Sequence, residues 1–288
     1  MKNIICILVT YNPDINLLRQ TINSILLQVD SLYISDNSTQ QVDVSEFLSH
    51  EKVIYQKMDG NVGIAAAQNF GIRYAIKENY KYIYFLDQDS ISPCHIVENL
   101  YHAYLQLKDK DLNVGAVGPR PYNRSENKPY TGLVKRGTQI DNNITEVSEL
   151  INSATFVSVD LFTKVGLMDE NLFIDGVDHE WCWRAFTRTK CRFFIIENEL
   201  LSHQLGEGDR YFLWRKVAIS TPFRIYYQYR NYIILLKRDY VPLYWKLSNG
   251  LKYIIKLFYY PCFIAPRTLY MKNIFRGIKD GFTFILKK

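Results

Sequence analysis

The stretch Tyr80 to Ser90, YKYIYFLDQDS, limits the folds open to this 288-residue chain more than any other. Tyr82 to Leu86 form a short apolar run rich in β-formers, which reads as a strand covered on both faces. Asp87 and Asp89 follow at once, with Gln88 between them. In an extended chain residues two apart point to the same side, so two carboxylates at a strand end would crowd and repel one another. A divalent cation removes that conflict, because hard cations take carboxylate oxygens and usually add phosphate oxygens from a substrate. Asp and Ser are also common turn residues, and a plain turn is the competing reading.

The chain before this strand alternates. Ile4 to Val9 is a β-rich run ending in Thr10-Tyr11-Asn12. A helical stripe of Leu17, Leu18, Ile22, Ile25 and Leu26 follows over about 14–28. Leu32 to Ser35 is a second strand, ending in Asp36-Asn37-Ser38. Val53 to Gln56 is a third, leading through Gly60-Asn61-Val62-Gly63 into a helix over about 64–78. This order predicts a mostly parallel sheet flanked by helices, in which ligands bind beyond the carboxyl ends of the strands. All four polar clusters lie at such ends. Asp36 there can accept from a base or ribose hydroxyl, or form an Asx turn. Gly60, Asn61 and Gly63 would offer flexible backbone and free N–H groups to a phosphate or ribose at a helix start. Neither the dinucleotide fingerprint nor the P-loop motif is present, which argues against both of those enzyme classes.

Further strands are expected at 114–117, 153–159 and 193–197, with a helical turn over 160–165 and a variable loop or hairpin over 120–150. Asp175, Asp178, His179 and Glu180 precede Trp181, Trp183 and Arg184 at a helix start. Acids there can simply cap the helix, or one can act as a general base. His203 sits beyond a strand, where a loop could carry it to a metal.

Charge divides the chain. After His203 there are 16 Lys and Arg against 4 Asp and Glu; before it there are 19 against 25. In the basic part, Phe212, Trp214, Phe223, Tyr226, Tyr227, Tyr229, Tyr232, Trp245, Tyr253, Phe258, Tyr259 and Tyr260 are interleaved with Lys and Arg. Helices with aromatics on one side and cations on another suit an anionic membrane surface. The alternative is that the aromatics pack on the preceding domain or on a second copy in a homodimer. An acidic pocket upstream would repel a phosphate backbone, so no nucleic-acid partner is expected. No uninterrupted apolar stretch reaches the roughly 20 residues of a spanning helix, no signal peptide is evident at the N-terminus, and the five cysteines show no paired spacing. A cytoplasmic chain, peripheral at the inner face of the plasma membrane, is the expectation.

The ordered set Val9-Thr10-Tyr11-Asn12, Asp36-Asn37-Ser38, Gly60-Asn61-x-Gly63 with Asn69 and Gly71, Asp87-Gln88-Asp89, Asp178-His-Glu-Trp-Cys-x-Arg184 and His203 resembles the inverting family 2 glycosyltransferases. It is most similar to bacterial rhamnosyltransferases, with their "DQDS" acidic pair. The resemblance covers about 3–210 and implies a GT-A fold, a catalytic domain over 1–210 and a helical C-terminal region over 211–288. It implies that Thr10, Tyr11, Asn12, Asp36, Asn37, Gly60, Asn61, Gly63, Asn69, Asp87 and Gln88 hold a nucleotide sugar. Asp89, Asp87 and His203 would hold Mg²⁺ or Mn²⁺, and Asp178 would be the base, with Asp175 and Glu180 in reserve. Many relatives have Glu-Asp where this chain has Val177-Asp178. The implied donor is dTDP-L-rhamnose, with a UDP-glucose or UDP-galactose type as the alternative. The implied acceptor is a polyprenyl-diphosphate-linked saccharide of a cell-surface polysaccharide. A non-catalytic nucleotide-sugar-binding protein at the membrane is the reading from a different class.

Overall fold

A computed structural model describes residues 3–123, 128–129, 137–203, 209–212 and 215–287. The first part alternates as expected: β1 (Ile4–Thr10), α1 (Ile15–Ile25), β2 (Ser31–Asp36), the short α2 (Ser45–Leu48), β3 (Val53–Lys57), α3 (Ile64–Lys77) and β4 (Tyr82–Asp87). Then come α4 (Ile96–Asp109), β5 (Val114–Asn123), β6 (Lys128–Pro129), β7 (Thr138–Asp141), β8 (Ile144–Val147), β9 (Phe156–Ser158), α5 (Val159–Val165), α6 (Val177–Thr189) and β10 (Arg192–His203). The last part is β11 (Asp209–Phe212), β12 (Arg215–Ala218), α7 (Pro222–Leu236), α8 (Leu243–Phe263) and α9 (Arg267–Leu286).

The main sheet runs β3-β2-β1-β4-β9-β5-β10-β8-β7, with β6 beside β5. Strands β3, β2, β1 and β4 are mutually parallel, as are β5 and β10. Between these blocks β9 runs antiparallel to both β4 and β5, so the sheet is mixed. A three-residue strand carries too little pattern to reveal its direction from sequence. The 120–150 stretch contains the β7–β8 hairpin.

Strand alternation sets the two cores. Ile5, Ile7, Ile83 and Phe85 face one helical layer, while Cys6, Leu8, Tyr84 and Leu86 face the other. Asp14 caps α1 by accepting from the Leu17 amide, and Leu18, Ile22 and Ile25 form its buried stripe. Gly71 lets α3 lie close against β1; a Cβ there would stand 2.8 Å from Ile7 Cγ2.

The basic C-terminal part is helical from α7 onward, but β11 and β12 first form an antiparallel hairpin. The change of composition near residue 210 is not a boundary of packing. Ile234, Leu235 and Val241 belong to the same buried cluster as Phe85, Phe162 and Trp181. A smaller cluster of Ile225, Tyr229, Tyr260, Tyr270 and Ile274 joins α7, α8 and α9 to one another. Gly277 and Gly281 bring the α9 backbone down onto α7, where Cβ atoms would meet Tyr226 O at 2.4 Å and Ile233 Cβ at 2.9 Å.

Candidate active site

Parallel register puts the polar clusters side by side: Thr10 pairs with Asp36, Val9 with Asp87, and Asp36 with Lys57. Their side chains are largely spent on one another. The buried Asp36 carboxylate accepts from Thr10 Oγ1 at 3.1 Å and the Ser38 amide at 3.0 Å through one oxygen. Through the other it accepts from Tyr55 Oη at 2.6 Å and Lys57 Nζ at 2.8 Å. Burial alone would raise the Asp36 pKa, but the bonds from Lys57, Ser38 and Tyr55 outweigh it and hold it at about 2. A carboxylate has about four acceptor sites, so Asp36 has none to spare for a base.

Asn12, held at φ 43°, accepts from the amides of Thr39 and Gln40 at 3.1 Å each. Asn37 accepts from Val62 N at 2.7 Å and donates to Asn61 Oδ1 at 2.9 Å, which in turn accepts from Gly63 N. These bonds shape the Gly60–Gly63 loop. The helix start beyond it is not free: Phe173 O accepts from Ile64 N at 2.8 Å and Ala65 N at 3.4 Å. Gly63 has φ 84°, and a Cβ would meet the Phe173 ring at 2.6 Å. The anion cradle expected there is occupied by the protein's own carbonyl.

Asn69 is also turned inward, bonding both Met168 N and O and reaching Glu170 Oε1 at 2.8 Å. Gln88 holds the Tyr11 backbone, accepting from its amide at 2.7 Å and donating to its carbonyl at 3.3 Å. That leaves the Tyr11 ring, 44% exposed, standing at the sheet end.

The acidic pair is arranged differently from the expectation. Strand β4 stops at Asp87, and Gln88-Asp89 form a turn closed by Ser90 N donating to Asp87 O at 3.2 Å. Asp89 therefore sits in a turn and not on the two-residue repeat of the strand. Asp89 is exposed and meets no cation among the described residues. Two carboxylates with phosphate oxygens to complete the shell suit a hard divalent ion; among the described residues no group of three or more His, Cys, Asp or Glu stands ready to hold one alone. The backbone of His203 ends β10 opposite Asn123; its side chain lies outside the described residues.

The segment Asp169 to Glu180 carries five acids, and four of them have cation partners. Asp169 pairs with Arg238, Glu170 with Arg73, and Asp175 with Arg224. Glu180, fully buried, pairs with Arg184 at 2.8 Å and Arg238 at 2.9 Å and accepts from Tyr240 Oη at 2.5 Å. Asp178 alone has no cation partner among the described residues; in the first turn of α6 it accepts only the His179 amide, at 2.9 Å. The reserve acids Asp175 and Glu180 are thus committed to structure. Sequence reasoning also missed the brace beneath this loop. Asn231 Nδ2 reaches the carbonyls of Leu172, Ile174 and Asp175 at 2.8, 2.6 and 3.0 Å. Arg230-Asn231-Tyr232 in a helical pattern was the only local signal for it.

The family model "Glycosyl transferase family 2" matches residues 5–165. The chain is a family 2 glycosyltransferase. This transferase is 31% identical over 291 aligned residues to the dTDP-rhamnosyl transferase RfbF of Shigella flexneri, covering 97% of this chain and 95% of that one. It is 24% identical over 170 residues to the low-salt glycan biosynthesis hexosyltransferase Agl10 of Haloferax volcanii, covering 54% and 53%. Its fold is GT-A. A structure of GalNAc-T7 with UDP, GalNAc and Mn²⁺ superimposes at TM-score 0.59 and 13% identity, over 100% of this transferase and 57% of that chain. Residues 1–349 of S. aureus TarS with UDP-GlcNAc superimpose at TM-score 0.59 and 14% identity, over 98% and 81%.

Proposed function

We propose that the transferase moves L-rhamnose from dTDP-L-rhamnose to a hydroxyl of a polyprenyl-diphosphate-linked saccharide, with inversion, at an anionic membrane surface. The observation that carries the chemistry is the isolation of Asp178. Four neighbouring acids are neutralised by arginine, which leaves one carboxylate able to take a proton from an attacking hydroxyl. The near full-length similarity to the Shigella enzyme supports the donor.

In this reading the Tyr11 ring packs on the nucleoside, and the Asp36 and Asn37 networks fix the loops that surround it. Asp87 and Asp89, with His203, would hold Mg²⁺ or Mn²⁺ beside the diphosphate, where such an ion offsets the charge of the leaving group. The test is nucleoside diphosphate release from a panel of nucleotide sugars, with and without Mg²⁺ or Mn²⁺. Slow, metal-dependent hydrolysis of dTDP-L-rhamnose is expected. Preference for a UDP-hexose would overturn the donor, and silence across the panel the whole reading.

The membrane claim rests on α8 and α9. Most tyrosines and tryptophans of this region pack inward: Tyr227 stacks on Phe173 at 4.7 Å, Trp245 meets Trp183 at 5.1 Å, and Tyr260 is fully buried. Trp214 and the side chain of Phe212 lie outside the described residues. The outward face is instead Leu243, Leu247, Leu251, Ile254, Ile255 and Phe258 on α8, with Met271, Phe275 and Phe282 on α9. Spacings of three and four make the α8 set one stripe, and exposed Lys252, Lys272 and Lys279 stand among these residues. Among the described residues no helix is long and apolar enough to cross a membrane. An apolar face rimmed by lysine suits lying in the headgroup layer. Leu247→Ser with Leu251→Ser and Phe258→Ser should stop co-sedimentation with phosphatidylglycerol vesicles; unchanged pelleting would remove the claim.

A further inference from the structure

A cavity of about 160 Å³ lies where the start of α6 meets α7 and α8. Cavities of about 150 Å³ hold a six-membered ring. Three aromatic side chains, Tyr232, Trp245 and Tyr253, line it, with Tyr232 and Tyr253 centroids 4.9 Å apart. Asp175 also lines it but carries Arg224, so the pair puts little net charge into the cavity. Lys256 stands behind the lining, held on Gln228 Oε1 at 2.9 Å and 5.6 Å from the centre of the Tyr253 ring.

Two polar groups of the lining retain unused capacity. His179 has a ring contact with Trp183 at 5.8 Å and no hydrogen-bond partner among the described residues for either ring nitrogen. Asn249 donates from Nδ2 to Trp245 O at 3.1 Å, and its Oδ1 accepts nothing among the described residues. Gln228, by contrast, is held between Lys256 and Ser220. Aromatic faces are electron-rich and attract the weakly positive C–H faces of a pyranose, while imidazole and amide groups pair with hydroxyls. A neutral ring bearing hydroxyls matches this lining.

Resting on the glycosyl-transfer reading, we infer that this cavity binds a sugar of the acceptor, and specifically one beyond the sugar that is glycosylated. Asp178 is not part of the lining although Gly176 and His179 are. Successive residues of a helix diverge by about 100°, so Asp178 faces aside from the cavity. A saccharide seated here would present its next ring to that carboxylate. The α8 helix carries the cavity on one side and the exposed leucine stripe on another, which would bring a lipid-linked chain in from the surface side.

The test uses the full chain and octyl glycosides of mono- and disaccharides, with binding followed by saturation-transfer NMR and dTDP affinity by calorimetry. At least one disaccharide glycoside is expected to bind. His179→Ala and Asn249→Ala should each weaken it roughly threefold to tenfold, the effect of one neutral hydrogen bond. Asn249→Trp, which fills the cavity, should abolish the binding, while monosaccharide glycosides are less affected, dTDP affinity holds, and thermal melting confirms the fold. The inference falls if no glycoside binds the wild type, or if Asn249→Trp binds disaccharides as tightly as wild type. Asn249-dependent binding without turnover of any donor would remove the donor reading and keep the sugar site.

Discussion

The polar end of the sheet and the start of α6 solve different problems with similar residues. At the sheet end, Asp36, Asn37, Asn12 and Gln88 are buried or half-buried and bonded across to the loops and ends of other strands. They preorganise a surface on which Tyr11, Thr39, Gln40, Lys57, Asp59 and Asp89 are exposed. At the start of α6, one carboxylate has no cation partner among the described residues amid four that have one, and part of its surroundings is supplied by α7 and the loop after it. Motif residues at neighbouring strand ends make a scaffold among themselves. At α6 the acids are paired by arginines from α3, α6, α7 and the loop after α7.

That contrast is sharpest at Asp178 and Glu180, two residues apart. Asp178→Asn should lower turnover by about 10²–10⁴ with an unchanged melting temperature, because no cation among the described residues depends on it. A loss within about tenfold would move the base elsewhere. Glu180→Gln should do the reverse to stability. It leaves the buried Arg184 without its ion-pair partner and Arg238 with Asp169 alone, at a cost of about 3–5 kcal/mol, read by chemical denaturation. If both variants unfold alike, Asp178 is as structural as Glu180 and the distinction fails.

The sheet-end scaffold has a pH signature. The folded Asp36 pKa is about 2, below its unfolded value of about 3.9, so its contribution is fully present above pH 4 and lost as pH falls toward 2. About 2 kcal/mol of stability should disappear across that window, and Asp36→Asn should flatten that part of an acid-unfolding curve. A smaller effect is expected from the outward stripe of α8: serine at Leu247, Leu251 and Phe258 should each change stability by no more than about 0.5 kcal/mol, whatever it does to vesicle binding. A large loss there would mean that the face is covered by protein.

The alternation of β1 to β4 was legible because each strand is an apolar run closed by a polar cluster and separated by an amphipathic helix. Helix α4 drew no reading, although its stripe of Ile96, Val97, Leu100, Ala103, Tyr104 and Leu107 is buried. The positions of Asn69 and Gly63 were legible, but not their partners. Met168, Glu170 and Phe173 lie about a hundred residues away, and no local pattern records such a contact. The same holds for Asp175 and Glu180. Sequence shows acids at a helix start but not that Arg224, Arg184 and Arg238 answer them.

The bracing of α6 also has an order in time. Synthesis delivers the β1–β4 sheet end and Asp178 before it delivers Asn231, Arg238 and Tyr240, which hold the loop and helix around that carboxylate. An unfinished chain would therefore possess the polar sheet end while α6 still lacked its supports. The start of α6 would take its final form only once α7 and the loop after it had emerged and docked.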